Sequence, residues 1–429
     1  MLIHTVVQGE GLRDIAARYG TTTRELQHLN ELQSENIIVP GLHLLVPGPA
    51  TLARPYTVQS GDTVESIARR QGVTPDELRG WLGLRAGQSL RPQQRLYVPT
   101  RVQGKRTIEV NGYLLPEGNV NDSRIVQDTG QRLTYLCIFS YQARADGSLV
   151  GQKDNDALSA ARQLRVAPLM TVTNFDGTNF NTELAHTVMS NPSIRRKLMD
   201  NILRTARNRG FRGINVDFEH MQPSDRPLYN EFISELGQAV RRQGLSISIA
   251  MGPKTSDEPT ASWMGAFDYR TLGGEVDFIM LMTYEWGWVG GPPMAIAPLD
   301  QVRAVLNYAT SVIPSSKLLM GMALYGYDWP LPHPQAGRAS GISNKSAQNL
   351  AMSQQVPIEW SVESASPFFR YRDSEGRQHV VWFEDALSAA VKLQLIYDYG
   401  MRGASFWVLG NEFPQVWHLI RDSFNVRKV

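Results

Sequence analysis

The stretch that decides the fold is Gly213-Ile214-Asn215-Val216-Asp217-Phe218-Glu219. Its three large apolar side chains alternate with an amide and two carboxylates, the period-two pattern of a β-strand with two different faces. An exposed edge strand can show the same pattern. Residues 204–210 and 227–244, however, have helical character, so the strand belongs to an alternation of strands and helices. In a parallel sheet covered by helices, the apolar face packs on the helices and the polar face points into a barrel interior.

The same alternation of strand and helix runs eight times from Ile108 onward. The predicted strands are 109–115, 133–141, 167–174, 213–219, 245–251, 276–284, 317–325 and 403–409. Eight β/α units in about 320 residues predict an α/β fold of the TIM (β/α)8 barrel type. Residues 330–383 interrupt the last unit and predict a small α+β insertion, in which 369–372 and 379–383 pair as strands.

The first hundred residues contain an internal repeat. Residues 3–47 and 55–99 match at a constant offset of 52 without a gap, so that Thr5-Val6 corresponds to Thr57-Val58. Each unit is predicted to fold as strand, helix, helix and strand. The domains are therefore predicted at 1–48, 54–100 and 107–429. The short linkers 48–54 and 100–106 predict units that move relative to one another.

Composition excludes several classes of protein. Lys and Arg number 43 against 41 Asp and Glu, a net charge of +2, which gives no indication of a nucleic-acid partner. The one cysteine, Cys137, allows neither an intrachain disulfide nor a thiolate metal cluster, and we expect no metal and no cofactor. No apolar run is long enough to span a membrane, and residues 1–5 lack the pattern of a secretion signal. We expect a monomer.

The carboxyl ends of the predicted strands are where a TIM barrel places its active site. Carboxylates and aromatic side chains dominate these ends: Tyr141, Phe175, Glu219, Tyr284, Glu285, Tyr327, Trp329, Trp407, Asn411 and Glu412. No His or Cys spacing suits a metal, and neither a phosphate-binding glycine loop nor a nucleophile elbow is present in the sequence. Carboxylates with aromatic rings favour a carbohydrate substrate.

These motifs resemble family 18 of the glycoside hydrolases over residues 108–420. The family signature Asp-Gly-x-x-x-Asp-x-Glu is matched at residues 212–219 in its last two acidic positions, whereas Arg212 and Asn215 replace two further Asp residues. The Met-x-Tyr motif of the sixth strand is present as Met282-Thr283-Tyr284, and the Trp of the eighth strand as Trp407. The two N-terminal repeats resemble LysM modules. The combination is similar to the spore cortex-lytic N-acetylglucosaminidases of spore-forming bacilli.

The resemblance implies a role for each site residue. Glu219 would act as acid and base, Asp217 would orient the substrate's acetamido group, and Tyr284 would bind its carbonyl oxygen. Trp407 would form the floor of the sugar subsite. The other substrate contacts predicted at this site are Asn215, Met282, Glu285, Tyr141 and Trp329. Asn215 is also predicted to donate a hydrogen bond to Asp217 and to change the pH dependence.

The LysM resemblance implies glycan contacts in two loops of each unit: 9–12 with 30–38, including Asn30, and 61–64 with 82–91. The alternative is that the units are spacers. Three functions stay open for the whole chain: a β-N-acetylglucosaminidase on peptidoglycan of the spore cortex, a chitinase, and a non-catalytic lectin. The resemblance and the missing export signal predict a spore-associated protein that meets cortex glycan through the LysM units and the barrel cleft.

Overall fold

Two small βααβ units form the N-terminal part of the computed structural model, which describes residues 1–85, 87–411 and 413–429. Unit 1 comprises β1 (Leu2–Thr5), α1 (Leu12–Arg18), α2 (Thr23–Asn30) and β2 (His43–Val46). Unit 2 comprises β3 (Thr51–Thr57), α3 (Val64–Gln71), α4 (Pro75–Leu82) and β4 (Arg95–Arg101). Each unit has one antiparallel strand pair, as the repeat predicts.

The rest of the chain forms the barrel and its insertion. In chain order the elements are β5 (Arg106–Leu114), α5 (Val120–Thr129), β6 (Tyr135–Ala143), β7 (Leu149–Val150), α6 (Asn155–Gln163), β8 (Ala167–Thr173), α7 (Thr182–Ser190), α8 (Pro192–Arg209), β9 (Gly213–Asp217), α9 (Arg226–Arg242), β10 (Ser246–Met251), α10 (Tyr269–Glu275), β11 (Phe278–Leu281), α11 (Leu299–Val312), β12 (Leu318–Ala323), β13 (Tyr325–Pro330), β14 (Ser340–Ser343), α12 (Asn344–Ser353), β15 (Glu359–Ser361), β16 (Ser366–Arg372), β17 (Gln378–Trp382), α13 (Ala386–Asp398), β18 (Gly403–Trp407), α14 (Pro414–Ser423) and β19 (Phe424–Val426).

Eight parallel strands close the barrel, in the order β5-β6-β8-β9-β10-β11-β12-β18, because β18 pairs back onto β5. This confirms the predicted TIM barrel. The decisive strand β9 is buried along its whole length. Its apolar face packs on α9, where the ring of Phe218 stacks on Phe232 at 5.6 Å. The polar face therefore points into the barrel, as the alternation predicts.

The insertion is a five-stranded antiparallel sheet in the order β14-β13-β17-β16-β15, with α12 between β14 and β15. The predicted pairing of residues 369–372 with 379–383 is present as β16 with β17. The sheet begins at Tyr325, five residues before the predicted boundary, because β13 follows β12 after one residue. The insertion consequently starts directly at the mouth of the barrel.

The N-terminal units pack on the barrel through α13. Every residue of α13 from Ala386 to Ile396 is buried, although an outer barrel helix normally exposes one face to water. The missing exposed face is covered by β2 and β3, whose side chains belong to the same hydrophobic core as those of α13. Gly41 brings unit 1 against the insertion, since a Cβ there would lie 1.8 Å from the Ile358 carbonyl oxygen.

A buried polar network crosses the same interface. His43 Nδ1 lies 2.5 Å from Asp385 Oδ2, and both side chains are 5% exposed. Asn30 donates from Nδ2 to the Leu26 and Leu45 carbonyls and accepts from Gln415 Nε2 at 2.9 Å. Asn30 is 1% exposed, so its predicted contact with glycan is wrong; the side chain instead joins α2, β2 and α14.

The prediction of flexible linkers is also wrong. Residues 51–54 are part of β3, and β4 extends to Arg101, so little chain separates the units from each other and from the barrel. The interfaces carry further specific bonds, including Tyr97 Oη to the Val362 carbonyl at 2.9 Å and Arg54 to Asp398 at 2.9 Å. The three parts therefore share one core and a defined relative position.

Candidate active site

The carboxyl end of β9 carries the two predicted catalytic carboxylates. Asp217 is the last residue of the strand and is 4% exposed, and Glu219 lies two residues further on, half-buried at the barrel mouth. Asn174, just beyond β8, clamps the backbone of Glu219: its Oδ1 accepts from Glu219 N at 3.0 Å and its Nδ2 donates to Glu219 O at 2.8 Å. Because the backbone is held from both sides, the direction of the Glu219 side chain is set by the fold.

The environment of the two carboxylates raises both pKa values. Burial raises the pKa of Asp217 to about 7. Burial, and next the charges of Asp217 and Glu285, raise the pKa of Glu219 well above its usual range. The pair therefore holds a proton near neutral pH, and Glu219, the group with the higher pKa, retains its proton to higher pH.

Asp217 has an unused hydrogen-bonding position. Its Oδ1 is buried and has no hydrogen-bond partner among the described residues. A buried carboxylate oxygen without a donor is costly, and most such groups in native proteins are satisfied by protein, water or ligand. Oδ1 is thus positioned to accept a hydrogen bond from a group that enters the barrel mouth.

Tyr284 and Met282 follow β11 at the neighbouring part of the mouth, and both are half-buried. Burial, and next the charges of Asp217 and Glu219, raise the pKa of Tyr284 well above its usual range, so its hydroxyl stays protonated and can donate. Gly321 in β12 makes room for the ring, since a Cβ there would lie 2.8 Å from Tyr284 Cε1. A larger residue at 321 would displace the hydroxyl.

Glu285 connects the barrel to the insertion. Its φ is +71°, an uncommon backbone conformation for a residue with a long side chain, and such conformations cluster at functional sites. Its Oε1 accepts hydrogen bonds from Tyr325 and, at 3.0 Å, from Tyr327. Burial raises the pKa of Glu285. The two tyrosines therefore hold the carboxylate over the barrel mouth.

A cavity of ≈ 350 Å³ opens between Glu285 and the insertion. Trp407, at the end of β18, is half-buried and lines this cavity, as does Asn411. The size is that of a small-molecule site, and an indole with polar neighbours suits a sugar ring. Glu412, a further candidate from the sequence, lies outside the described residues.

A row of aromatic rings extends from Trp407 to the loop after Glu219. The sequence did not reveal these residues as a row. Successive ring centroids are 4.9–6.5 Å apart, along Trp407, Phe139, Phe175, Phe180, His220 and Trp263. His220 is exposed and has φ +53°. Each of these residues lies at the carboxyl end of a barrel strand or in the loop that follows one, which is the signal that could have revealed the row.

Three predicted substrate contacts are buried away from the cleft surface. Asn215 is fully buried, accepts from Tyr113 Oη at 2.9 Å and donates to Ser248 Oγ at 3.1 Å, so the predicted bond to Asp217 is also absent. Trp329 is fully buried: its ring packs with Ala339 and Val380 of the insertion, and its indole N–H donates to the carbonyl of Gly291, in the loop after β11, at 2.9 Å.

Tyr141 is the third, at 2% exposure, with its hydroxyl donating to Asp154 Oδ2 at 2.7 Å. The register of β6 shifts between Ile138 and Tyr141, so strict alternation fails there. Tyr141 consequently turns to the helix side, and Phe139 occupies the barrel mouth in its place.

In the part of the chain that the structure describes, no group of three His, Cys, Asp or Glu side chains has the arrangement of a metal site. Over the same residues, no helix is long and apolar enough to cross a membrane.

Two carboxylates with raised pKa values, a protonated tyrosine and a ring-lined cavity at the mouth of a (β/α)8 barrel define the class of carbohydrate-cleaving hydrolases. The sequence profile described as "Glycosyl hydrolases family 18" matches residues 112–412, and the LysM profile matches residues 4–47 and 56–99. The chain belongs to family 18 of the glycosyl hydrolases and carries two LysM domains, which are glycan-binding units.

Relatives of similar length share the whole arrangement. The cortical fragment-lytic enzyme of Bacillus subtilis (strain 168) is 40% identical over 100% of this chain and 99% of its own length. The crystal structure of the Bacillus megaterium QM B1551 spore cortex-lytic enzyme SleL is 35% identical, with a TM-score of 0.84 over 100% of this chain and 99% of that one. A chitinase from Chromobacterium violaceum ATCC 12472 is 27% identical, with a TM-score of 0.68 over 74% of this chain and 98% of its own.

Proposed function

We propose that this protein cleaves the β-1,4 bond after N-acetylglucosamine in bacterial peptidoglycan, and that its substrate is spore cortex or its fragments. The full-length relatives named for cortex lysis support the substrate. The observation that carries the chemistry is the free, buried Oδ1 of Asp217 beside a Glu219 with a strongly raised pKa.

The proposed reaction uses the substrate's own acetamido group. Glu219 donates its proton to the glycosidic oxygen while the acetamido oxygen bonds to the anomeric carbon, and the leaving sugar departs as an alcohol. Asp217 Oδ1 accepts the acetamido N–H and stabilises the positive oxazolinium ring, and Tyr284 donates to the acetamido oxygen. Glu219 then takes a proton from water, whose oxygen bonds to the anomeric carbon as the ring opens, with retention of configuration.

Both carboxylates lie at the carboxyl end of β9. This placement supports the substrate-assisted reaction over one in which a carboxylate of the enzyme attacks the sugar. A conventional retaining glycosidase places its two carboxyl groups on either side of the scissile bond, so that one of them attacks the sugar. Asp217 instead ends β9 and Glu219 lies two residues further on, so both carboxylates come from one short segment on the same side of the barrel mouth. Asp217 is also only 4% exposed, which disfavours direct attack by its carboxylate on the anomeric carbon.

A thiazoline analogue of the cyclised intermediate tests the mechanism directly. We expect it to inhibit cleavage, and a glucoside without the 2-acetamido group to remain uncut. A covalent glycosyl adduct on Asp217, detected by mass spectrometry with a slow 2-fluoro substrate, would contradict substrate assistance and leave the glycosidase assignment intact.

Digestion of intact cortex, fragmented cortex and chitin, with mass spectrometry of the products, tests the substrate. Products ending in N-acetylglucosamine from cortex support the proposal. Cleavage of chitin with no action on either form of cortex would favour the chitinase alternative. No cleavage of any of the three would favour the lectin, which the presence of both Asp217 and Glu219 argues against. The proposal includes a spore-associated monomer that meets the glycan through its LysM domains and the cleft.

Replacing Asn215 by Asp is expected to move the acid limb of the kcat/KM profile upward by about one pH unit. The new carboxyl lies in the buried interior and adds a like charge near Asp217, which raises the pKa of a group that must be ionised. The measurement is a pH profile between pH 5 and 9. Asn215→Ala is the matched neutral control and should keep the parent limb; an unchanged profile in the Asp variant would show that the position has no electrostatic influence on the pair.

We propose that the leaving sugar stacks on His220 and Trp263, next to Glu219. The two rings lie 5.0 Å apart, and their planes are inclined by 32°. The Trp263 ring beside it and the neighbouring backbone cover part of the His220 ring, and this partial loss of water lowers the pKa of His220, so the platform is uncharged at neutral pH. Thr182 Oγ1 donates to the His220 carbonyl at 2.7 Å and holds the strained backbone.

Trp263→Ala is expected to lower kcat/KM on a cortex tetrasaccharide about tenfold, because the leaving sugar loses its stacking surface. Hydrolysis of N-acetylglucosaminyl fluoride, which has no leaving sugar, should change little. Trp263→Phe retains a ring and should recover most of the loss. An equal loss on both substrates would indicate a structural role instead.

A further inference from the structure

A second cavity, of ≈ 350 Å³, lies between the two LysM domains. One side is formed by the chain after β1, including Gln8, and the other by the end of α4 and the residues after it, including Leu84. These segments belong to different domains, so this cavity is not a groove between the two loops of one domain, although Leu84 and Arg85 belong to the predicted loop 82–91.

The packing of α4 on β1 gives the cavity a defined shape. Thr5 Oγ1 donates to the Trp81 carbonyl at 2.7 Å. Gly80 allows close approach, since a Cβ there would lie 2.3 Å from Tyr19 Oη and 2.9 Å from His4 Nδ1. Gly83 approaches Thr5 in the same way, at 3.0 Å from its Cγ2. The two walls are therefore held in contact, and the cavity does not depend on a chance arrangement of two loose domains.

The charged residues that line the cavity are arginines: Arg18, Arg79 and Arg85. Arg18 is paired with Glu10 at 3.0 Å, and Glu10 is itself held by His4 Nε2 at 2.8 Å. Arg79 is paired through Nη2 with Glu65 at 3.1 Å, but its Nη1 is buried and has no partner among the described residues.

The third arginine, Arg85, forms no ion pair within the described part of the chain and is exposed. Three guanidinium groups against two carboxylates leave one positive charge, together with the unused Nη1 of Arg79. A single carboxylate on the ligand would balance the positive charge and accept a hydrogen bond from Arg79 Nη1, because guanidinium binds carboxylate through paired hydrogen bonds. The apolar Leu84 and the amide of Gln8 suit the sugar that carries the carboxylate.

We propose that this cavity binds a peptidoglycan sugar that bears one carboxylate, so that the paired LysM domains recognise the acidic sugar of the strand and not only neutral N-acetylglucosamine. The inference rests on the proposed function for its glycan. The carboxylate has two sources in peptidoglycan: the lactyl ether group of muramic acid, and the end of a peptide attached to it. Domain geometry thereby selects which sugars the barrel meets.

Hydrogen–deuterium exchange of the full-length Glu219→Gln variant tests the proposal, since this variant should bind glycan without cutting it. The probes are a tetrasaccharide of alternating N-acetylglucosamine and muramic acid with free lactyl groups, the same sugar carrying a dipeptide, and chitotetraose. We expect residues 5–8 and 79–84 to be protected by the first or the second probe, which identifies the source of the carboxylate, and not by chitotetraose.

Adding Arg79→Gln and Arg85→Gln should weaken that protection by at least tenfold in ligand concentration, and added salt should weaken it in the parent. Arg69→Gln, an exposed arginine on α3, is the matched control and should behave as the parent. Equal protection by chitotetraose, no protection of these segments, or no effect of the arginine substitutions would overturn the proposal. Hydrolysis by the parent protein tests the proposed function separately, because it uses intact Glu219 and none of these variants.

Discussion

Glu219→Gln is expected to lower the rate of glycosidic cleavage by about two to four orders of magnitude. The amide keeps the size and shape of the side chain, and the clamp by Asn174 acts on the backbone, so the fold should be retained. What is lost is the proton that the raised pKa of Glu219 keeps available near neutral pH. The measurement is kcat/KM on fragmented cortex, with thermal unfolding as the check on folding.

Asp217→Asn should also be severely impaired, because in the proposed reaction the oxazolinium would lose the negative charge that stabilises it. The two losses should not add in the double variant, since both residues serve one transition state. Glu363→Gln, an exposed carboxylate in the insertion, is the matched control and should retain parent activity. Near-parent cleavage by either variant would show that the substituted carboxylate is not required for the reaction.

Deletion of residues 1–101 is expected to destabilise the barrel and to cause aggregation. A barrel with an independent core would tolerate this deletion, and the sequence alone favours that view. The structure indicates otherwise, because α13 is buried along its length by β2 and β3 and would expose apolar side chains to water. The measurements are the urea midpoint and the hydrolysis of N-acetylglucosaminyl fluoride. A soluble truncated barrel with the parent midpoint and activity would contradict the shared core.

A point substitution tests the same interface without removing a domain. His43→Ala removes one hydrogen-bond partner from the buried Asp385 carboxylate, which costs about 1–3 kcal/mol. That is a large part of the roughly 5–15 kcal/mol that stabilises a typical native protein. His28→Ala, an exposed histidine of α2, is the control and should have little effect.

Local patterns predicted the parts of this protein that depend on short-range chemistry. The alternation in β9 located Asp217 and Glu219 on one face, because side chains two residues apart along a strand must point the same way. The repeat at an offset of 52 predicted two βααβ units. Eight strand and helix pairs predicted the barrel, because right-handed crossovers leave few other ways to bury such strands.

Tertiary structure alone decided which of the predicted side chains reach the cleft. A register shift in β6 turned Tyr141 outward and placed Phe139 at the mouth, and no local pattern marks such a shift. Trp329 is buried where the insertion meets the loop after β11, and its indole N–H bonds to Gly291 of that loop. The aromatic row joins residues from several different loops.

The docking of the LysM domains was likewise invisible in the sequence. His43 and Asp385 are 342 positions apart, and each alone looks like an ordinary surface residue. The repeat, the strands and the position of Asp217 and Glu219 follow from spacing along the chain, so the sequence by itself determined them. Only the folded chain decides which distant segments exclude water from each other. The cleft surface, the shared core and the cavity between the LysM domains depend on this.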